Sequence, residues 1–188
     1  MPEALTHSSH AQLLLLCLDL QPVFLQAIAD GKSVQRRCAF AIGAAVGLGI
    51  EVMFTEQVPH KLGPTSADLV NCVPSPRVFA KTTFSAFADP AIRDAINARP
   101  TEHVLLCGLE TSVCVHQTAL DAVAAGMHVT LLSDCVGARR PDDAQVCLEA
   151  LVRAGVHVLP AETVFYALLH DVGHPFFKAY TQLVKKHA

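Results

Sequence analysis

Along the chain, short unbroken apolar runs alternate with stretches whose apolar residues recur at helical spacing. Leu13–Leu20 is such a run, bounded by Gln21-Pro22, and it predicts a central parallel strand buried on both faces. Ser33–Gly49 carries Ala and Leu at helical spacing and ends in glycines, which predicts a helix and its cap. Glu51–Thr55 is read as a second strand, Gln57–Ser66 as a loop containing Pro and Gly, and Arg77–Ala80 as a third strand. A short helix over Pro90–Ala98 is closed by Pro100, and His103–Cys107 is a fourth strand ending at Gly108. Ser112–Ala125 follows as a helix stopped by Gly126. His128–Ser133 and Val156–Leu159 read as strands on either side of a helix over Asp142–Ala154. Thr163–Leu169 and Pro175–His187 close the chain as helices.

Strands alternating with helices imply βαβ units with right-handed crossovers. The expected fold is α/β: a three-layer α/β/α domain spanning residues 1–188. Its core would be a six-stranded, mostly parallel, doubly wound (Rossmann-like) sheet in the order 3-2-1-4-5-6. Ligands of such sheets sit outside the carboxyl ends of the strands. Those ends carry Asp19-Leu20-Gln21, Thr55-Glu56-Gln57, Lys81-Thr82-Thr83, Gly108-Leu109-Glu110-Thr111 and Ser133-Asp134-Cys135. No GxGxxG follows the first strand and no GxxxxGK[ST] occurs, so the usual nucleotide loops are missing and no cofactor is expected.

Composition narrows the setting. Hydrophobic residues make up 52% of the 188 positions and charged residues 16%, far from a disordered chain. That excess points to a homo-oligomer, dimer or higher, in which subunits bury apolar surface. The longest membrane candidate, Ala39–Ile50, has 12 uncharged residues, whereas a spanning helix needs about 20. The N-terminus has no Lys or Arg before Lys32, so it lacks the positive region of a secretory or mitochondrial leader. A cytoplasmic location is expected, with a mitochondrial one as the alternative. Fourteen Lys and Arg against 17 Asp and Glu give a net charge of -3 and no basic run longer than two residues, which argues against a nucleic-acid partner. Seven scattered cysteines without a CxxC pair argue against a disulfide framework or structural zinc.

Cys114 opens the helix after the fourth strand, where free N–H groups and the dipole favour thiolate. There a cysteine pKa can fall to roughly 3.5–7.5. The alternative is a buried thiol filling space. Asp19 ends an almost wholly apolar strand, where its charge needs a partner, unless it caps a turn. Lys81, at another strand end, is a candidate partner or else a solvated lysine. Together they would supply a nucleophile, a base and a charge stabiliser.

Asp19 in LLCLDLQ, Lys81 in KTTFSAF, and GLETSVCV over 108–115 followed by Thr118-Ala119 resemble the isochorismatase-like cysteine hydrolase family. The likeness continues through Ser133-Asp134-Cys135 and Arg139 to the final helices. Thr55-Glu56-Gln57 and Leu62-Gly63-Pro64-Thr65 are similar to the isochorismatase domain-containing branch. Some kinetoplastid proteins of that branch are labelled mitochondrial-associated ribonuclease. The resemblance implies hydrolysis of a C–N or related bond of a small molecule through a Cys114 thioester, with Asp19 as base and Lys81 as its helper. It also implies an oxyanion hole from the N–H groups of Glu110 and Cys114, and a non-proline cis peptide between Leu109 and Glu110.

Nicotinamidase-type members carry an Asp-x-His…His metal site after the second strand. This chain has Thr55-Glu56-Gln57-Val58-Pro59-His60 there, so no metal is expected. Isochorismatases proper lack the nucleophilic cysteine, so Cys114 argues against that reaction. Phe24, Gln57, Phe84 and Phe87 are candidate substrate contacts, with Glu56 as a further polar one. Cys17, two residues before Asp19 on the same strand face, and Cys135, at a position that the resemblance makes small in relatives, are candidates to border the site, though core packing suits both better. The competing readings are a catalytically silent interaction domain and a ribonuclease or RNA-associated protein.

Overall fold

The computed structural model describes residues 10–187. After a short 3-10 turn (His10–Gln12), the strands are β1 (Leu13–Leu18), β2 (Glu51–Gln57), β3 (Arg77–Lys81), β4 (His103–Leu109), β5 (His128–Gly137) and β6 (His157–Leu159). They form one sheet in the order β3-β2-β1-β4-β5-β6, and every pairing is parallel rather than most of them. The helices are α1 (Pro22–Ala27), α2 (Gly31–Gly47), α3 (Pro59–Leu62), α4 (Ala67–Val70), α5 (Pro90–Asn97), α6 (His116–Ala124), α7 (Pro141–Arg153), α8 (Ala161–Leu169) and α9 (Phe177–His187). None of them is long and apolar enough to cross a membrane.

Every residue of β1 and β4 is buried, which is why their sequences run apolar without alternation. Side chains still alternate between faces. Leu13, Leu15 and Cys17 pack with α2, α8 and α9, while Leu14, Leu16 and Leu18 pack with α5, α6 and α7. Each fully buried Leu on these strands contributes roughly 1.5–3 kcal/mol relative to an exposed one. Asp134 of β5 ties the first layer to the sheet, accepting from Arg37 Nε of α2 and from the Ala161 N–H at the start of α8, both at 2.8 Å.

The carboxyl ends depart most from the apolar pattern. β2 and β4 each run two residues beyond the predicted ends and β5 four, because small and polar residues there still pair with neighbouring strands. The helix predicted over Ser112–Ala125 is divided, with a π-helical turn over Thr111–Val115 leading into α6. α3 lies in the segment read as loop, and α1 follows directly after β1.

Candidate active site

Strand register brings distant residues to one sheet edge. Asp19 lies one position past β1, with its N–H donating to the Thr55 carbonyl of β2 at 3.1 Å. Gln57 of β2 is opposite Lys81, the last residue of β3. Asp19 adopts φ +51°, a left-handed conformation that Asp tolerates better than most residues. Its neighbour Gln21 holds the strand ends together, accepting from the Gln57 N–H at 2.7 Å and donating to the carbonyls of Gln57 and Gly63.

Asp19 and Lys81 form a fully buried ion pair, Nζ to Oδ2 at 2.7 Å. The other carboxylate oxygen accepts from Thr55 Oγ1 at 2.7 Å. Lys81 Nζ also faces Gln57 Oε1 at 2.5 Å and the carbonyls of Thr83 and Phe84 at 3.2 and 3.3 Å. An ammonium has three protons to donate, so this acceptor-rich shell holds it in place and offsets the loss of water. Cys114 Sγ lies 3.7 Å from the same nitrogen. The three side chains singled out in the sequence therefore meet at one point.

The thiol at this point is not poised as expected from a helix start. Burial pushes Cys114 up to about 12; the Asp19 charge and the hydrogen bond to that carboxylate add to the rise, and Lys81 and a backbone hydrogen bond at Glu110 only partly oppose it. The π turn leads directly into α6, but burial and the anion beside the sulfur outweigh what that helix start offers. At neutral pH Cys114 therefore keeps its proton, with the Asp19 side chain beside it.

A cavity of about 160 Å³ opens over this point, lined by Asp19, Phe24, Gln57, Phe84, Leu109, Glu110, Val113, Cys114 and Arg139. The Leu109–Glu110 peptide that shapes its wall is cis. Gly108, just before it, has φ +117°, and a Cβ there would stand 2.0 Å from the Leu18 carbonyl oxygen. At the rim, the Glu110 carboxylate accepts from the Arg139 N–H at 2.8 Å and from its guanidinium at 3.0–3.2 Å.

Of the candidate substrate contacts, Phe24, Gln57 and Phe84 line the cavity, Phe84 being 55% exposed. Phe87 does not. It is buried in the apolar layer with Leu14, Leu16 and Ile92, three residues beyond Phe84 in a segment that is not helical. The amide of Gln57 is occupied on both sides, by Lys81 Nζ and by the Thr82 carbonyl, so it acts on Lys81 before it acts on a ligand. Glu56 accepts from the Thr65 N–H and stands outside the cavity lining. Cys17 and Cys135 lie in the opposite layer with Cys38 and Cys107, and the sulfurs of Cys17 and Cys107 are 3.4 Å apart. Among the described residues, no three His, Cys, Asp or Glu side chains are grouped as a metal ion requires, and His60 is exposed on α3. Thr55, Gln21 and the Glu110–Arg139 pair were not assigned roles in the sequence; their position at strand ends was the available signal.

The isochorismatase domain family matches residues 13–163. The chain is 31% identical over 182 residues to the secreted isochorismatase effector Isc1 of Phytophthora sojae, covering 95% of this chain and 86% of that one. It is 34% identical over 179 residues to isochorismatase domain-containing protein 2 of Pongo abelii, covering 95% and 85%. The structure of MAR1 ribonuclease from Caenorhabditis elegans superposes with a TM-score of 0.89 at 28% identity, covering 95% of this chain and 92% of that one.

Proposed function

The chain belongs to the isochorismatase domain family, and from that premise we propose that it is a cysteine hydrolase cleaving a C–N or related bond of a small molecule without a metal. The observation that carries this reading is the convergence of Asp19, Lys81 and Cys114 on one cavity. Asp19 takes the proton of Cys114 as the sulfur attacks the substrate carbonyl. Lys81 stays charged and stabilises both anions. The N–H groups of Glu110 and Cys114 face the developing oxyanion, where a donor acts mainly on the transition state. Asp19 returns the proton to the leaving amine, a thioester remains on Cys114, and water activated by the same carboxylate releases the acid. One amide and one water give one acid and one amine.

The high apolar fraction of the chain, 52% of its residues, is the feature that favours a homo-oligomer of this single domain. Intact-mass spectrometry of wild type, Cys114→Ala and Asp19→Asn with a panel of small amides tests the chemistry. The expected result is an acyl adduct on wild type alone; adduct-free wild type with no amine released overturns it. The MAR1 ribonuclease likeness supplies the competing reading. Cleavage of RNA by wild type, with binding that weakens steeply with salt and survives Cys114→Ala, would favour that reading instead.

A further inference from the structure

The cavity has a charge balance that names its substrate class. Two acids and two bases bear on it, and each is already matched: Asp19 with Lys81 beneath, and Glu110 with Arg139 at the rim. Among the described residues lining it, no cation is left over to receive an anion. Arg139 reaches outward, its side chain 66% exposed, yet its guanidinium and its own N–H are both turned onto Glu110. A carboxylate brought to Arg139 would reach only the guanidinium edge turned away from Glu110, and Glu110 already balances the guanidinium charge.

The walls reinforce this. Phe24, Phe84, Leu109 and Val113 supply apolar surface, so a charged group would lose its water without gaining a partner. The volume is also small. At about 160 Å³ it is below the usual range for drug-sized ligands, and it equals about five times the share of one water in the liquid.

Resting on the hydrolase reading above, we infer that the site takes uncharged substrates with a short apolar acyl group of about five non-hydrogen atoms and rejects carboxylate-bearing ones. The paired rim and the apolar walls together set this choice. A dicarboxylate or a nucleic-acid phosphate does not fit it.

Two alkylating agents of equal size, one neutral and one anionic, test the charge rule without requiring turnover. Iodoacetamide is neutral and iodoacetate anionic; with either, an Sγ–C bond forms, iodide leaves, and the thiol proton passes to Asp19 or solvent. Rates at Cys114 are read by peptide mass spectrometry at pH 9 and divided by those at Cys72, which is exposed and serves as internal reference. Cys114 should prefer iodoacetamide about tenfold more than Cys72 does, equivalent to about 1.4 kcal/mol. Equal ratios, a preference for iodoacetate, or labelling of Cys72 with none at Cys114 by either reagent overturns the inference. Glu110→Gln, which frees Arg139, should shrink the preference several-fold; an unchanged preference removes the rim pair as its source. A second arm compares propionamide and isobutyramide with succinamate. Equal hydrolysis of all three sinks the specificity rule while leaving the hydrolase standing, whereas no hydrolysis of any amide with selective alkylation intact sinks the hydrolase and leaves the charge rule.

Discussion

Lys81 joins the proposed chemistry to a measurable cost in stability. Its ammonium is fully buried against Asp19, so removing it leaves a carboxylate without a counter-charge. Lys81→Met should lower unfolding free energy by about 3–5 kcal/mol in urea titrations, and Asp19→Asn added to it should recover most of that loss. If the single and double variants unfold alike, the ion pair is not what Asp19 depends on. Cys114 makes a second expectation. With its thiol pushed up to about 12, alkylation should climb about tenfold per pH unit from pH 7 to 10; a plateau near neutrality would mean a preformed thiolate. Asp19 and Lys81 were legible because each ends a run of apolar positions, Cys114 because it opens the helix after β4, and all three because their motifs resemble a known family. The thiol's protonation was not, since it depends first on how deeply the sulfur is buried and then on how close it comes to Asp19, 95 positions away in the sequence. Nor was the inward turn of Phe87, because nothing in an irregular segment tells which of two nearby rings faces a cavity.

At the scale of elements, strands read well and their ends did not. β1 and β4 are apolar throughout since both faces are covered, and that pattern needs no partner to be recognised. The ends of β2, β4 and β5 are polar or small, those of β2 and β4 where they border the cavity and that of β5 where Asp134 ties two helices to the sheet, so periodicity stops short of them. The π turn over Thr111–Val115 inserts a wider loop of backbone where an ordinary helix start was expected. Gly108 is what lets β4 reach that turn. Gly108→Ala should cost about 2–6 kcal/mol, from strained backbone and a clash with β1 combined. Gly126→Ala, also at positive φ but with nothing within 4 Å of the new Cβ, should cost about 1 kcal/mol. Similar losses for the two in thermal unfolding would mean that close approach to β1 is not the constraint.

For the whole molecule, acid is the expected weakness. His103 is wholly buried between α/β layers, with Nε2 on Thr130 Oγ1 at 2.8 Å. Burial, with His128 and His157 adding to it, lowers its pKa from 6.5 to about 4. The unfolded chain therefore binds a proton there between those values and the folded chain does not. Stability is complete above pH 6.5 and should fall by up to about 3 kcal/mol as pH drops to 4. Urea midpoints at pH 7 and 4.5 measure this, and His103→Gln should flatten the decline; an equal decline would place the acid sensitivity elsewhere. The layered α/β architecture followed from alternation and its strand order from the usual doubly wound arrangement, whereas the charge balance of the cavity needed coordinates. One consequence of that architecture concerns the outermost strand. β3 has a neighbour on one side only and carries Lys81 at its last position. Edges open far more readily than cores, and each opening of β3 withdraws the ammonium from Asp19. Fraying at that border would disable the proposed hydrolysis, so mild denaturant should silence it well before the fold melts.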